Sequence, residues 1–187
     1  MARPARYSVD ELLDAAAALL AADGPAAVTM AAVARATGAP SGSMYHRFPT
    51  RAVLCGELWM RTEDRFHAGF ASALSSSDDP QARCVAGARY TVQWCRDHPV
   101  EAQVLLAGAD SLCLADWPED LGTRRRRLHR KLRRLLADLP ADADRVNAAL
   151  IDIPYAVVRR QLLTRRSIPE SADAIVEDCA RILIASS

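Results

Sequence analysis

Residues 29–51 read TMAAVARATGAPSGSMYHRFPTR, and the placing of caps, apolar positions and turn residues in this stretch decides the fold. Thr29 is a natural N-cap, because its hydroxyl accepts from an amide in the first helical turn and satisfies one of the donors a helix start leaves open. Val28 and Val33 are spaced as the flanking hydrophobic staple. The helix stops at Thr37-Gly38, where glycine takes the positive φ of a sharp turn without a Cβ clash. A second short helix begins near Pro40-Ser41. Met44 and Phe48, at i and i+4, face inward, Tyr45 sits on the boundary, and Pro49 ends the helix. No Asp or Glu occurs between Asp23 and Glu57, although 25% of the chain is charged. A surface without carboxylates can lie against phosphates.

Working outward, Ser8-Val9-Asp10-Glu11 spells a capping box that starts a first helix, which Gly24-Pro25 stops. Thr50 caps a long fourth helix whose Leu54, Leu58, Phe66, Phe70 and Leu74 form an apolar ladder. Residues 75–80 are a Ser/Asp/Pro linker, and a further helix ends at Asp97-His98-Pro99. A short apolar helix spans residues 100–109. Residues 110–120, with Trp117-Pro118, read as a loop, and residues 124–139 as a helix with a leucine stripe opposite its arginines. A long helix from Asp142 to about Arg165 contains Pro154, which should kink it by removing a backbone donor. Ser167-Ile168-Pro169-Glu170 opens the last helix. No segment has the period of a strand, so the fold class is all-α.

Composition bounds the function. A chain of 187 residues, half of them apolar, buries a sizeable core, and a net charge of +1 leaves any nucleic-acid role to local asymmetry. Five scattered cysteines without a CxxC pair suit reduced thiols better than a disulfide framework. The N-terminus lacks the apolar run of a signal peptide, and no stretch approaches the roughly 18 unbroken apolar residues of a membrane span. A cytoplasmic protein without a membrane anchor is expected.

Helix, Gly38 turn, helix is the helix-turn-helix plan, in which the second helix enters a DNA major groove. Ser41, Ser43 and His46 carry the donors and acceptors that base edges require, and Gly42 lets the backbone come close. Arg47, Arg51 and the Thr29 hydroxyl suit phosphates. Arg3 and Arg6, on an N-terminal arm without periodicity, suit a minor groove.

The detail carries a resemblance. Leu13-Ala15-Ala16, Gly24, Thr29, Val33-Ala34, Gly38, Gly42-Ser43-Met44-Tyr45 and Phe48-Pro49-Thr50-Arg51 occur in the order of the DNA-binding domain of the TetR (tetracycline repressor-like) family, which residues 8–56 resemble. The resemblance implies a three-helix helix-turn-helix head, residues 1–49, and a helical-bundle body, residues 50–187, that binds a small effector and dimerises through its last two helices. It implies that Tyr45 and His46 meet phosphate and base, that Ser43 reaches the groove, that Arg51 supplies a cation and that Thr29 touches phosphate. Pro40 replaces the family's usual capping Ser or Thr, which makes Ser41 the expected cap. Arg47 stands where an aromatic or His is common.

In the body, Trp59, Phe66, Phe70, Tyr90, Trp94, Trp117 and Tyr155, with Cys113, are the candidates for an effector pocket suited to an apolar or aromatic ligand. No cation is evident in sequence beside Cys113 to activate it. Ile151, Val158, Leu162, Ile175, Cys179, Ile182 and Leu183 supply the apolar surface of a homodimer seam. The run RRRRLHRKLRR at 124–134 reads as a solvated helix face or a source of intersubunit ion pairs rather than a second nucleic-acid site. Cys95 and His98, three apart, are the nearest approach to a catalytic pair, but no HExxH, GxSxG, phosphate-binding glycine loop or spaced metal set accompanies them. The expectation is a repressor, with no catalytic residues, metal or cofactor, that binds a palindromic double-stranded operator as a dimer and is released by a small effector. A helical adaptor that has lost DNA binding is the alternative.

Overall fold

The computed structural model of the chain describes residues 7–185, and among these residues no strand occurs. The helices are α1 (Val9–Asp23), α2 (Met30–Thr37), α3 (Ser41–Arg47), α4 (Arg51–Leu74), α5 (Pro80–Asp97), α6 (Pro99–Ala107), α7 (Glu119–Ala137), α8 (Ala143–Asn147), α9 (Ile153–Thr164) and α10 (Ser171–Ile184). They fall into two compact units: Met1–Glu63 with Gln103–Arg125, and Asp64–Ala102 with Arg126–Ser187.

In the first unit the local signals act as read. Ser8 accepts from the Glu11 amide at 3.1 Å while the Glu11 carboxylate accepts from the Ser8 amide at 2.7 Å, closing the capping box of α1. Thr29 caps α2 through the Ala32 amide at 3.1 Å, and Gly38 ends it at φ 72°. Leu12, Ala16, Val28, Val33, Met44, Phe48, Leu54 and Leu58 form a common buried core. Each large side chain of this kind contributes about 1.5–3 kcal/mol by leaving water. Arg61 of α4 ties α1 down through Asp10 at 3.2 Å and Asp14 at 2.8 Å.

Several boundaries differ from the sequence expectation. Ser41 is the first helical residue of α3 and not its cap; Pro40 occupies the cap position at φ −59°, an angle its ring favours, with no side-chain bond to the helix. Residues 110–116 form two short 3₁₀ turns, Asp110–Leu112 and Leu114–Asp116, joined at Cys113. Helix α7 starts at Glu119, five residues before the leucine stripe suggested, because Pro118 pre-sets the entry and Glu119 and Asp120 favour a helix start.

In the second unit α5 and α10 are joined by Arg96 to Asp173 at 2.7 Å and Arg89 to Glu177 at 3.1 Å. The irregularity expected at Pro154 takes the form of a π turn, Ala148–Asp152, between α8 and α9. Proline has no amide to return to Leu150, and a widened turn relieves the ring's crowding of that carbonyl.

Candidate nucleic-acid interface

Helix α3 divides cleanly. Met44 and Phe48 are buried, while Ser41, Gly42, Tyr45 and His46 are exposed, and Tyr45, at 57% exposure, stands out in solvent and not on the boundary. The helix is anchored by one face and offers a hydroxyl, an open backbone, a phenol and an imidazole on the other. Such a face matches the donors, acceptors and thymine methyls of a major groove.

The remaining candidates are placed differently. Thr29 is half-buried, its hydroxyl oxygen occupied as the cap. Ser43 is half-buried and accepts from the Arg47 guanidinium, which also donates to the Ser43 carbonyl at 3.3 Å and to the Tyr7 carbonyl at 2.8 Å. Arg47 is therefore folded back along its own helix. Arg51 is committed further: it donates to the Val28 carbonyl at 2.7 Å, the Pro25 carbonyl at 2.8 Å and the Cys113 sulfur at 2.8 Å. The guanidinium read as a phosphate ligand is a clamp within the first unit. Its fork of planar donors reaches two backbone carbonyls ahead of α2, that of Val28 and that of Pro25, which also accepts from the Val28 amide at 3.2 Å.

Arg35 is a further exposed cation that the sequence reading did not name. It is exposed in the last turn of α2 and makes no hydrogen bond or ion pair among the described residues. The signal was present, since Arg35, Arg47 and Arg51 are the three arginines of the carboxylate-free stretch. Arg3 and Arg6, expected in a minor groove, lie outside the described residues.

The pocket candidates separate into groups. In the second unit Phe66, Phe70, Tyr90 and Trp94 pack on one another, with Phe66 centred 5.7 Å from Phe70, 5.7 Å from Tyr90 and 5.1 Å from Trp94 in an edge-to-face contact. Offset and edge-to-face pairs satisfy the ring quadrupoles; Phe70 and Trp94 are buried, whereas Phe66 and Tyr90 stay half-buried. Gly69 makes the cluster possible: a Cβ there would lie 2.1 Å from the Tyr90 oxygen. Burial pushes the Tyr90 phenol above its ordinary pKa. Tyr155 is exposed. In the first unit the Trp59 indole donates to Glu63 at 3.0 Å, and Trp117 donates to the Leu112 carbonyl at 2.8 Å while lying against Gly56.

None of these side chains lines the groove that α4 and α7 form in the second unit. That groove, of about 430 Å³, is walled by Ala68, Ala71, Leu128, Leu132 and Leu135, with Asp64, His67, Ser75, Lys131 and Asp138 around them. Its size falls within the range of small-molecule sites. Leu128, Leu132 and Leu135 of the α7 leucine stripe make one of its walls.

On α9, α10 and the π turn, the seam candidates divide by face. Ile151, Tyr155, Ile175 and Ile182 are exposed, Ile182 at 69%, and Cys179 and Leu183 are half-buried. Val158 and Leu162 are buried within the chain at 2% and 7%, so they pack the monomer and offer a partner nothing.

The Cys95–His98 pairing makes no nucleophile: burial pushes the Cys95 thiol up to about 12, and His98 faces Glu101 at 3.3 Å. Among the described residues no group of three or more His, Cys, Asp or Glu is placed to hold a metal, and no helix is long and apolar enough to cross a membrane.

Residues 12–58 match the family described as bacterial regulatory proteins, tetR family. No curated protein matches the chain. Among solved structures, the fatty acid degradation regulator FadR of Bacillus halodurans is similar at 16% identity and a TM-score of 0.69, over 96% of this chain and all of that one. FadR of Bacillus subtilis, solved in complex with stearoyl-CoA, is similar at 12% identity and a TM-score of 0.71, over 95% of this chain and 98% of that one. The ketosteroid transcriptional regulator of Mycobacterium tuberculosis is similar at 19% identity and a TM-score of 0.66, over 97% and 95%. At these identities the likeness is one of fold.

Proposed function

We propose that this chain, whose residues 12–58 match the tetR family of bacterial regulatory proteins, is a DNA-binding transcriptional repressor which binds a palindromic operator as a homodimer and is released by a small apolar effector. The carrying observation is the outward polar face of α3, Ser41, Gly42, Tyr45 and His46, over the buried Met44 and Phe48. In this reading residues 1–49 bind DNA and residues 50–187 bind effector and partner. Tyr45 and His46 meet base and phosphate, Ser41 and Gly42 approach the groove, and Arg35 and Thr29 hold the backbone. Arg47 joins them only by giving up its bonds to Ser43 and Tyr7.

The seam is formed by Ile151, Tyr155, Ile175, Cys179, Ile182 and Leu183, because a two-fold interface needs apolar surface that the monomer leaves wet. Two heads related by that axis would meet major grooves about 34–36 Å apart. The effector site is the groove between α4 and α7. Its leucine and alanine walls suit an apolar body, and Lys131 suits an anionic end. The stearoyl-CoA held by one fold relative has a large apolar body, which supports that choice. The effector acts through its different affinity for the DNA-competent and incompetent states. Acting on DNA, the protein works in the cytoplasm.

The test is binding to an operator selected from random duplexes, for the wild type, Tyr45→Ala and His46→Ala, across a salt series. Each substitution should weaken specific binding by about 1–3 kcal/mol at unchanged melting temperature, and wild-type affinity should fall steeply with salt as counterions are released. Equal affinity of all three proteins would dispose of the α3 surface.

A further inference from the structure

We propose that Cys113 is an oxidation site for hydroperoxides, with Cys55 as the resolving thiol and Arg51 as the cation that binds the reacting sulfur. Three observations converge within the first unit. The Arg51 guanidinium donates to the Cys113 sulfur at 2.8 Å, which puts a fixed positive charge where negative charge gathers as sulfur attacks. The second thiol, Cys55, stands one turn along α4 from Arg51, and Cys113 is among the groups that help push its pKa up. Cys113 joins the two 3₁₀ turns in the left-handed region, at φ 63°, ψ 34°, a conformation unfavourable for a non-glycine residue and kept only where the surroundings hold it.

The two sulfurs differ in the way such a reaction needs. Cys113 is half-buried, whereas Cys55 is fully buried and burial pushes its thiol up to about 11. First attack therefore falls to Cys113. Its sulfur takes the outer oxygen of the hydroperoxide: an S–O bond forms, the O–O bond breaks, and the alcohol leaves with the thiol's proton, so that sulfur becomes a sulfenic acid. The Cys55 sulfur then attacks Cys113, an S–S bond forms, the S–O bond breaks, and water leaves with the Cys55 proton. Two thiols together give up two electrons and the peroxide accepts them.

The consequence runs through Arg51. Its other two bonds hold the Pro25 and Val28 carbonyls directly ahead of α2, so a disulfide that withdraws the Cys113 sulfur disturbs the clamp on the head. Loss of DNA affinity on oxidation rests on the function proposed above; the chemistry at sulfur does not.

The experiment treats the reduced full-length chain with hydrogen peroxide and maps every cysteine by mass spectrometry over time. Cys179, half-buried on α10 with no guanidinium donating to it among the described residues, is the internal reference in protein diluted until the proposed seam has come apart, and buried Cys84 and Cys95 are the negative controls. The expected result is oxidation of Cys113 at least about tenfold faster than Cys179, a Cys55–Cys113 disulfide within one chain, and a trappable sulfenic acid on Cys113 in Cys55→Ser. Equal rates at Cys113 and Cys179, or a disulfide that omits Cys55, would overturn the proposal, and neither outcome depends on a variant folding. Oxidised protein should then bind the selected operator about tenfold more weakly and recover with dithiothreitol; undiminished binding would overturn the link to the clamp. Reduced protein that binds no DNA would refute the regulator reading while leaving the cysteine mapping decisive.

Discussion

Replacing Arg51 with methionine separates two roles that would otherwise be confused. The guanidinium makes three bonds, to Val28 O at 2.7 Å, Pro25 O at 2.8 Å and Cys113 Sγ at 2.8 Å. Methionine keeps much of the apolar stem but no donor, so two backbone carbonyls lose their charged partner. A hydrogen bond to a charged group is worth about 1.5–3 kcal/mol, and the half-buried site lets water reach the carbonyls and return part of that. A loss of about 3 kcal/mol follows for the clamp as a whole, or roughly 6–12 °C in melting temperature for a chain of this size. Urea unfolding of wild type and Arg51→Met reads the first quantity, and the salt dependence of operator binding reads a second. A clamp residue lowers stability and leaves the salt slope unchanged. A phosphate ligand does the reverse, reducing the slope by about one while stability stays the same. A variant with wild-type stability and a reduced slope would refute the clamp and restore the reading that sequence alone suggests.

Three further outcomes follow from the packing. Gly69→Ala places a Cβ 2.1 Å from the Tyr90 oxygen and 2.4 Å from its ring, so the aromatic cluster must shift and thermal unfolding should show a loss of about 1–3 kcal/mol; wild-type stability would mean that Tyr90 moves aside freely. Ile182→Glu puts a charge at the most exposed of the large apolar side chains on α10, and sedimentation should show the dimer giving way to monomer with the circular dichroism spectrum retained; an unchanged sedimentation coefficient would remove α10 from the seam. Bonds from the Ser8 amide and hydroxyl hold the Glu11 carboxyl below its usual value of 4.5. A lowered folded-state pKa means that the capping contribution is present above the unfolded value and lost as pH falls through the folded one. NMR titration of Glu11 should show the depressed pKa in wild type and a value nearer 4.5 in Ser8→Ala.

The head was legible because its determinants are local. A capping hydroxyl reaches an amide three residues away, the Gly38 turn needs only its own φ, and the i, i+4 spacing of Met44 and Phe48 sets which face of α3 is anchored. The same locality gave the start of α4 at Thr50 and the disturbance at Pro154. Where sequence went astray within a few residues, at the cap of α3 and the start of α7, a proline had taken the position expected of a polar cap or a loop.

Side-chain destinations were another matter, because partners far along the chain choose them. Amino-acid sequence determined by itself that the chain is all-α, that a helix-turn-helix head occupies its first residues, and which face of α3 looks outward. Tertiary structure decided that Arg51 turns to Val28 and to Cys113, 62 residues away, and that Arg47 folds back to Tyr7. It decided that Phe66, Phe70, Tyr90 and Trp94 pack on one another while Leu128, Leu132 and Leu135 of α7 wall a groove, and that Val158 and Leu162 face inward while Ile175 and Ile182 face out. Helical periodicity marks a stripe as apolar, but only the elements packed around a helix determine which edge of that stripe is covered and which stays wet. The cation beside Cys113, invisible in the sequence around residue 113, comes from the first turn of α4.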